Sequence, residues 1–322
     1  MFGIQPSSLI GIFGTAILPI VAIAAAGFVL GRSKDVDAGP LNSITVYVLV
    51  PALVFHTLVT TPMSGETVLL VAVGVLAVTL VMLAIADGVG RLAGRTEPLL
   101  GAFVLTAAFA NSGNFGIPLS EFAFGATGRS TAVLYAAVQG VLLYTLGTYV
   151  AARGSGGALA GVRRAARIPL VYAVVVALGV RWLGLAPPTG SAAMETLQLV
   201  GDSSIPVMLL ILGIQLSGTD YGAAIGQVGL SNLLKLTVAP VVAVGVALVL
   251  GFENQTVARV FVLESAGPAA VTPIILLGEF SEHGDGAIGP AEFASTAILT
   301  STLLSIPILT VLIALLRAGV VI

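Results

Sequence analysis

The sequence contains no cysteine, and only 9% of its 322 residues are charged. Without cysteine the chain has no disulfide framework, no thiol nucleophile and no thiolate metal site. A soluble protein of this length carries about 25% charged residues, so the composition excludes an ordinary soluble globular chain. The net charge is −2 and no basic stretch is interleaved with aromatic residues, so nucleic acid is not an expected partner.

The motifs of membrane-embedded enzymes are also missing. The chain has no HExxH or GxSxG motif and no paired carboxylates at one spacing. His56 has no acidic residue and no second histidine in its apolar segment, so a metal site is not expected there. The chain is therefore predicted not to be an enzyme and to need no cofactor, although the sequence leaves room for a coupling H+ or Na+.

Hydrophobic residues make up 57% of the chain and give a mean hydropathy of +1.09. The apolar runs predict an all-α integral membrane protein with ten transmembrane helices. Residues 1–152 hold the first five spans, residues 153–167 form a Gly-rich basic linker, and residues 168–322 hold the second five. The predicted spans are Leu9–Leu30, Leu41–Thr60, Thr67–Arg91, a broken span that begins at Pro98, Ser130–Ala152, Ile168–Leu183, Met194–Leu216, Gly222–Leu250, a span broken at Gly267–Pro273, and Ala291–Ala318.

A polar stretch interrupts the fourth span at Asn111–Pro118, with the sequence Asn-Ser-Gly-Asn-Phe-Gly-Ile-Pro. Asn and Gly suit the end of one helix, and Pro suits the first turn of the next. In hydrocarbon, unwound backbone survives only where protein buries it or a polar cavity solvates it. The stretch therefore predicts a discontinuous helix with its break near the bilayer centre, where transporters hold their substrates.

A second break, Glu264–Pro273, interrupts the ninth span. Pro118 and Pro273, which would restart the two broken helices, lie 155 residues apart, and Pro51 and Pro206 share that offset. The shared offset predicts an internal repeat. Because each half contains an odd number of spans, the second half enters the membrane from the opposite side, so the repeat is inverted.

Lysine and arginine residues set the expected orientation, since they concentrate in cytoplasmic loops. Eight of them follow spans 1, 3 and 5, and three lie on the opposite side. The first group is Arg32, Lys34, Arg91, Arg95, Arg153, Arg163, Arg164 and Arg167, and the second is Arg129, Arg181 and Arg317. The linker is therefore predicted to be cytoplasmic and both termini extracellular, in a multi-pass protein of the plasma membrane.

Residues Asn111–Pro118 closely resemble the motif in the broken fourth span of the auxin efflux carrier family, which includes plant PIN carriers and prokaryotic permeases. The resemblance covers essentially the whole chain. This chain lacks the long hydrophilic central loop of the larger plant members. It implies secondary transport of organic anions, small carboxylates or auxin-like weak acids, by elevator-type alternating access. It also implies a scaffold of spans 1, 2, 6 and 7 that forms homodimers, and a mobile transport domain of spans 3–5 and 8–10. In that domain the two broken helices cross at the substrate site.

Residues at the two breaks are the candidate substrate ligands. They are Asn111, Ser112, Asn114, Ile117, Pro118, Thr272 and Pro273. Two half-helices that begin at the prolines would point their N-terminal dipoles and free N–H groups at an anion, beside amide and hydroxyl side chains. The alternative is that the polar side chains only cap the broken helix ends.

Three ionisable side chains in apolar spans are further candidates. Lys235 lies about thirteen residues into the predicted eighth span, where a charge costs about 2.5–3.5 kcal/mol. It is expected to attract the substrate at longer range or to relay protons, unless it snorkels or forms a structural ion pair. Glu264, beside the crossover, and Asp202, a turn before Pro206, are candidate coupling residues. Asp202 could lie either near Lys235 or close to the outer surface.

Most of these sequence features also fit a second function. A sodium- or proton-coupled transporter of related inverted-repeat fold, such as a bile-acid-like anion symporter or a cation/proton antiporter, would have the same hydropathy and the same breaks. A passive channel would not need two matched broken helices.

Overall fold

The computed structural model describes residues 6–34, 36–61, 63–153, 169–218, 224–280 and 288–322. Within those ranges the chain is all-helical, apart from one isolated β-bridge between Ala110 and Ala269. The helices are labelled α1 (Leu9–Lys34), α2 (Ala38–Thr60), α3 (Gly65–Leu92), α4 (Leu99–Ala108), α5 (Ser112–Ala151), α6 (Pro169–Trp182), α7 (Ala192–Ser217), α8 (Gly229–Leu250), α9 (Gln255–Ser265), α10 (Thr272–Phe280) and α11 (Pro290–Arg317).

Seven of the described helices are long and apolar enough to cross a membrane: α1, α2, α3, α5, α7, α8 and α11. The chain is therefore a multi-pass membrane protein. The helix is interrupted at both polar stretches, between α4 and α5 and between α9 and α10. The predicted linker, residues 153–167, lies outside the described residues except at Arg153.

α5 covers the second half of the predicted fourth span and all of the fifth. Gly125 has φ +64° and ψ −148°, a positive φ that glycine adopts without a Cβ clash. A Cβ at Gly128 would lie 2.0 Å from the carbonyl oxygen of Ser120, whereas residues eight apart in a straight helix are separated by about 12 Å. The chain therefore reverses direction at Gly125 and divides α5 into two arms.

Helices α1, α2, α6 and α7 pack together as one group. α7 crosses α1 so closely that a Cβ at Gly213 would lie 1.9 Å from the carbonyl oxygen of Ala24, and one at Gly27 would lie 2.2 Å from that of Leu210. Small residues let membrane helices approach at this distance. α6 and α7 both lie against α2. Arg181 at the end of α6 donates hydrogen bonds of 2.9 Å to three carbonyl groups at the end of α2 and just beyond it.

The other helices form a second group around α4, in which residues 100–108 are all buried. α3 and α11 pack on α4, α9 packs on α5, and α10 packs on α11. Arg95, which follows α3, lies 4.9 Å from the ring centroid of Phe103 and 5.1 Å from that of Phe293. Its guanidinium also donates to the carbonyl of Gln227 at 2.5 Å. Arg95 therefore joins α4 and α11 to the segment before α8.

The predicted start of the eighth span, Gly222, lies outside the described residues, and the described helix starts later than the prediction. α8 begins at Gly229, and residues 224–228 before it form turns. Gly226 and Gly229 disfavour helix at this point, because glycine has a low helix propensity. The hydropathy of the segment, from which the span was predicted, does not reflect this propensity. Lys235 is consequently the seventh residue of α8, about 9 Å along its axis, and not the thirteenth residue of a longer span.

Candidate functional site

The two helix breaks face each other and exchange backbone hydrogen bonds. The N–H of Asn111 donates to the carbonyl of Pro268 at 2.8 Å, and the N–H of Ala270 donates to that of Phe109 at 3.0 Å. These bonds form the isolated antiparallel β-bridge between Ala110 and Ala269. Backbone groups that a broken helix leaves unpaired are thereby satisfied within the protein, as a low-dielectric environment requires.

Two side chains from neighbouring helices fix the crossover. The amide of Gln139 donates to the carbonyl of Ala110 at 2.6 Å and to the hydroxyl of Ser112 at 2.9 Å. The hydroxyl of Ser301, in α11, accepts a hydrogen bond of 3.1 Å from the N–H of Ala269. Ser301 was not predicted from the sequence, because it lies in an uninterrupted apolar span and no local pattern marks it.

A wide turn precedes the predicted start of the first half-helix at Pro118. The N–H of Gly116 donates to the carbonyl of Asn111 at 2.9 Å, and the N–H of Ile117 donates to that of Ser112. These five-residue spacings form one wide turn, with which α5 begins at Ser112. After that turn the regular α-helix begins at Ile117 with Pro118 as its second residue, so proline lies in the first turn as predicted, where its missing N–H leaves no bond unmade.

The second half-helix starts as predicted. α10 begins at Thr272, and Pro273 is its second residue, a position that proline favours because its missing N–H would have no partner there. The N-terminal ends of α5 and α10 therefore both adjoin the crossover. Each presents the positive end of a helix dipole to the space beside it.

A cavity of about 220 Å³ lies beside the crossover, between the two groups of helices. None of the described residues that line it carries a full charge. Five predicted site residues, Asn111, Ser112, Asn114, Ile117 and Thr272, line it, whereas Pro118, Pro273, Lys235, Glu264 and Asp202 do not. The other polar lining residues are Asn42, Thr45, Gln139, Tyr144 and Gln215.

The side-chain amide of Asn111 is a buried polar group at this cavity. The residue is 6% exposed, and within the described part of the chain its Nδ2 has no hydrogen-bond partner. Its side chain does not cap α5, although the residue occupies the N-cap position. Buried polar groups without a partner are rare in native proteins. The amide is therefore a donor available to a ligand in the cavity.

Lys235 lies on another side of the crossover. Its side chain is buried, with 1% exposure, and its Nζ donates to the carbonyl oxygen of Ser265 at 3.0 Å. Ser265 is the last residue of α9. The sequence left two alternatives for this lysine, snorkelling to the membrane surface and a structural ion pair. The contact with a backbone carbonyl is neither of them.

The two acidic candidates occupy different environments. Glu264 is buried, its Oε1 accepts a hydrogen bond of 2.5 Å from Ser120, and its Oε2 has no partner among the described residues. Asp202 lies at the surface instead, with 46% of its side chain exposed, in an ion pair of 2.5 Å with Arg129. Of the two, only Glu264 adjoins the crossover.

Comparisons with known proteins place the chain among transport proteins. A family model described as a membrane transport protein matches residues 12–313. An uncharacterized transporter of Methanothermobacter thermautotrophicus is 27% identical over 299 residues, which cover 90% of this chain and 94% of that protein. A putative malonate transporter of Rhizobium meliloti is 26% identical over 320 residues, 94% of this chain and 95% of that one. An uncharacterized transporter of Methanocaldococcus jannaschii is 22% identical over 271 residues, 81% and 86% respectively.

Proposed function

Because the chain belongs to the membrane transport protein family, whose model matches residues 12–313, we propose that it moves small organic anions by secondary transport. It is a membrane transporter and not an enzyme, and its resemblance to the auxin efflux carriers is confirmed at the level of the family. The unpaired amide of Asn111, in an uncharged cavity beside two helix N-termini, is the observation that carries the proposal.

The cavity is suited to an anion rather than a cation. The N-termini of α5 and α10 present partial positive charge and backbone N–H groups, which favour a carboxylate. Asn111 and Asn114 add amide donors, and no carboxylate of the described residues lines the cavity to repel an anion. A carboxylate accepts several hydrogen bonds at once, so one group can satisfy both helix ends.

The volume of the cavity favours a small substrate. The cavity of about 220 Å³ is small for a ligand site, since ligand pockets commonly measure about 300–1,000 Å³. A dicarboxylate of three or four carbons fits that space better than a large amphipathic acid. The relative from Rhizobium meliloti that is named a putative malonate transporter supports this substrate class. Malonate is therefore the first substrate to test.

The packing of the helices supports elevator-type alternating access. The group α1, α2, α6 and α7 corresponds to the expected scaffold, and the group around α4 corresponds to the expected transport domain. The cavity lies between them, with lining residues on α2, α6 and α7 on one side and on α5 and α10 on the other. Movement of one group against the other would carry a bound anion across. We include in this proposal the ten spans as a five-plus-five inverted repeat, and a homodimer through the scaffold.

The lining of the cavity also suggests which side of the membrane it faces. It extends from the crossover to Asn42 near the start of α2, Tyr144 near the end of α5, Leu170 at the start of α6 and Gln215 near the end of α7. These are the helix ends on the side of the basic loops. With that side cytoplasmic and the termini extracellular, the cavity is open towards the cytoplasm.

Counterflow in proteoliposomes tests the proposal. Vesicles loaded with unlabelled malonate are expected to accumulate labelled malonate from outside, because a carrier exchanges substrate across the membrane without net driving force. Labelled malonamide, which has the same size and no charge, serves as the matched control and is not expected to exchange. Equal rates for both compounds, or no exchange of any small carboxylate, would contradict anion transport.

A further inference from the structure

Lys235 makes a contact that the anion site does not use. The lysine is one of the largest fully buried side chains, and its ammonium donates to the carbonyl of Ser265 at 3.0 Å. Lys235 forms no ion pair within the described ranges of the chain. A buried ammonium without a carboxylate is costly unless other oxygen atoms solvate it.

The carbonyl of Ser265 needs a donor because α9 stops there. In an unbroken helix the N–H of Ala269 would bond to it, but that N–H donates to Ser301 instead. The preceding carbonyl groups of α9 accept from Ala266 and Gly267, which close the helix end. Lys235 therefore supplies the donor for a carbonyl that the break has left without its helical partner.

Oxygen atoms gather around this helix end. The hydroxyls of Ser265 and Tyr135 lie 3.0 Å apart, and the hydroxyl of Ser265 also donates to the carbonyl of Phe261 at 3.0 Å. The C-terminal end of a helix carries partial negative charge. In transporters with broken helices, unwound carbonyls and half-helix C-terminal ends of this kind coordinate Na+. At the end of α9 the positive charge is instead the ammonium group of Lys235.

We propose that the ammonium of Lys235 is a built-in cation at the broken end of α9, where it takes the place of a coupling metal ion. Transport therefore requires no sodium. The role of this cation in coupling rests on the transport function proposed above, but the site itself does not depend on the identity of the carried anion.

Removal of the lysine is expected to create a sodium site. Lys235→Ala leaves the Ser265 carbonyl without its donor and opens space beside it, whereas Lys235→Met removes the charge and keeps most of the side-chain volume. Lys34→Ala, at an exposed position and the only other lysine in the chain, is the control for charge alone. The measurement is the melting temperature of each purified protein in NaCl against choline chloride at equal ionic strength.

Sodium is expected to raise the melting temperature of Lys235→Ala by about 1–2 °C and to saturate, the shift that a ligand at several times its Kd produces in a protein of this size. Wild type, Lys235→Met and Lys34→Ala should not respond. Saturable stabilisation of wild type by sodium, or the same sodium response in the alanine and methionine variants, would overturn the proposal.

If Lys235→Ala does not fold, malonate counterflow by the wild-type protein tests the proposal. Malonate counterflow that is unchanged when choline replaces sodium supports a built-in cation, and uptake driven by a sodium gradient overturns it. Failure of malonate counterflow would count against the proposed substrate, whereas the melting experiment needs no substrate and tests the lysine alone.

Discussion

Replacing Asn111 with alanine is expected to weaken malonate binding by roughly ten- to a hundredfold. The Nδ2 group of Asn111 is buried at the cavity and has no partner among the described residues, so its hydrogen-bonding capacity is free for a ligand. A hydrogen bond to a charged group is worth about 1.5–3 kcal/mol, which corresponds to that change in affinity. Asn114→Ala is expected to act in the same direction, since Asn114 also lines the cavity.

The measurement is calorimetric titration of the purified variants with malonate. Asn232→Ala provides a matched control, because Asn232 is a buried asparagine that bonds to Thr300 at 2.6 Å and does not line the cavity. Its affinity for malonate should equal that of wild type. Undiminished affinity in Asn111→Ala, with a normal melting temperature, would move the anion site away from the crossover.

The second large effect is expected at Gly116, where α5 passes the carboxyl group of Glu264. A Cβ at Gly116 would lie 2.1 Å from Oε2 and 2.9 Å from Oε1 of that carboxyl group. Gly116→Ala therefore has to displace a buried side chain and should destabilise the protein by about 1–3 kcal/mol, as overpacking of a core does. The melting temperature should fall accordingly. Gly245→Ala, in α8, has open space around its Cβ and should melt like wild type.

A second substitution can relieve this clash. All three atoms nearest to the added Cβ belong to Glu264, so Gly116→Ala combined with Glu264→Ala should lose less stability than the sum of the losses in the two single variants. This departure from additivity identifies a direct contact, because independent substitutions would add. If Gly116→Ala melts like wild type, or if the double variant loses the full sum, α5 and α9 do not meet as described.

The sequence of residues 111–118 was sufficient to predict a broken helix with a proline in the first turn of its second half, but not the wide turn that precedes that proline. Asn, Gly and Pro each favour a chain break for reasons that are local to the backbone. The restart at Ser112 depends instead on a wide turn that satisfies the N–H groups of Gly116 and Ile117 before Pro118 is reached. Local propensities cannot distinguish that turn from a helix that begins at the proline.

Contacts between distant residues were beyond prediction from the sequence. Ser301 bonds to Ala269, 32 residues earlier, and Lys235 bonds to Ser265, 30 residues later. Hydropathy identifies the helices that carry these side chains, but it does not give the rotation of each helix about its axis. Of the ionisable candidates, only Glu264 could be placed beside the crossover from sequence, because it immediately precedes the second break.

Protection of a single cysteine tests most directly whether the cavity is the anion site. Gly140 lines the cavity and has open space around its Cβ, and the wild-type chain contains no cysteine. Gly140→Cys should react with a membrane-impermeant maleimide in inverted vesicles, where the predicted cytoplasmic side is exposed. Malonate should slow the reaction and malonamide should not, while Gly65→Cys, exposed at the start of α3, should show no malonate effect on either side of the membrane. If malonate at concentrations that saturate counterflow leaves the labelling of Gly140→Cys unchanged, the anion does not bind in this cavity.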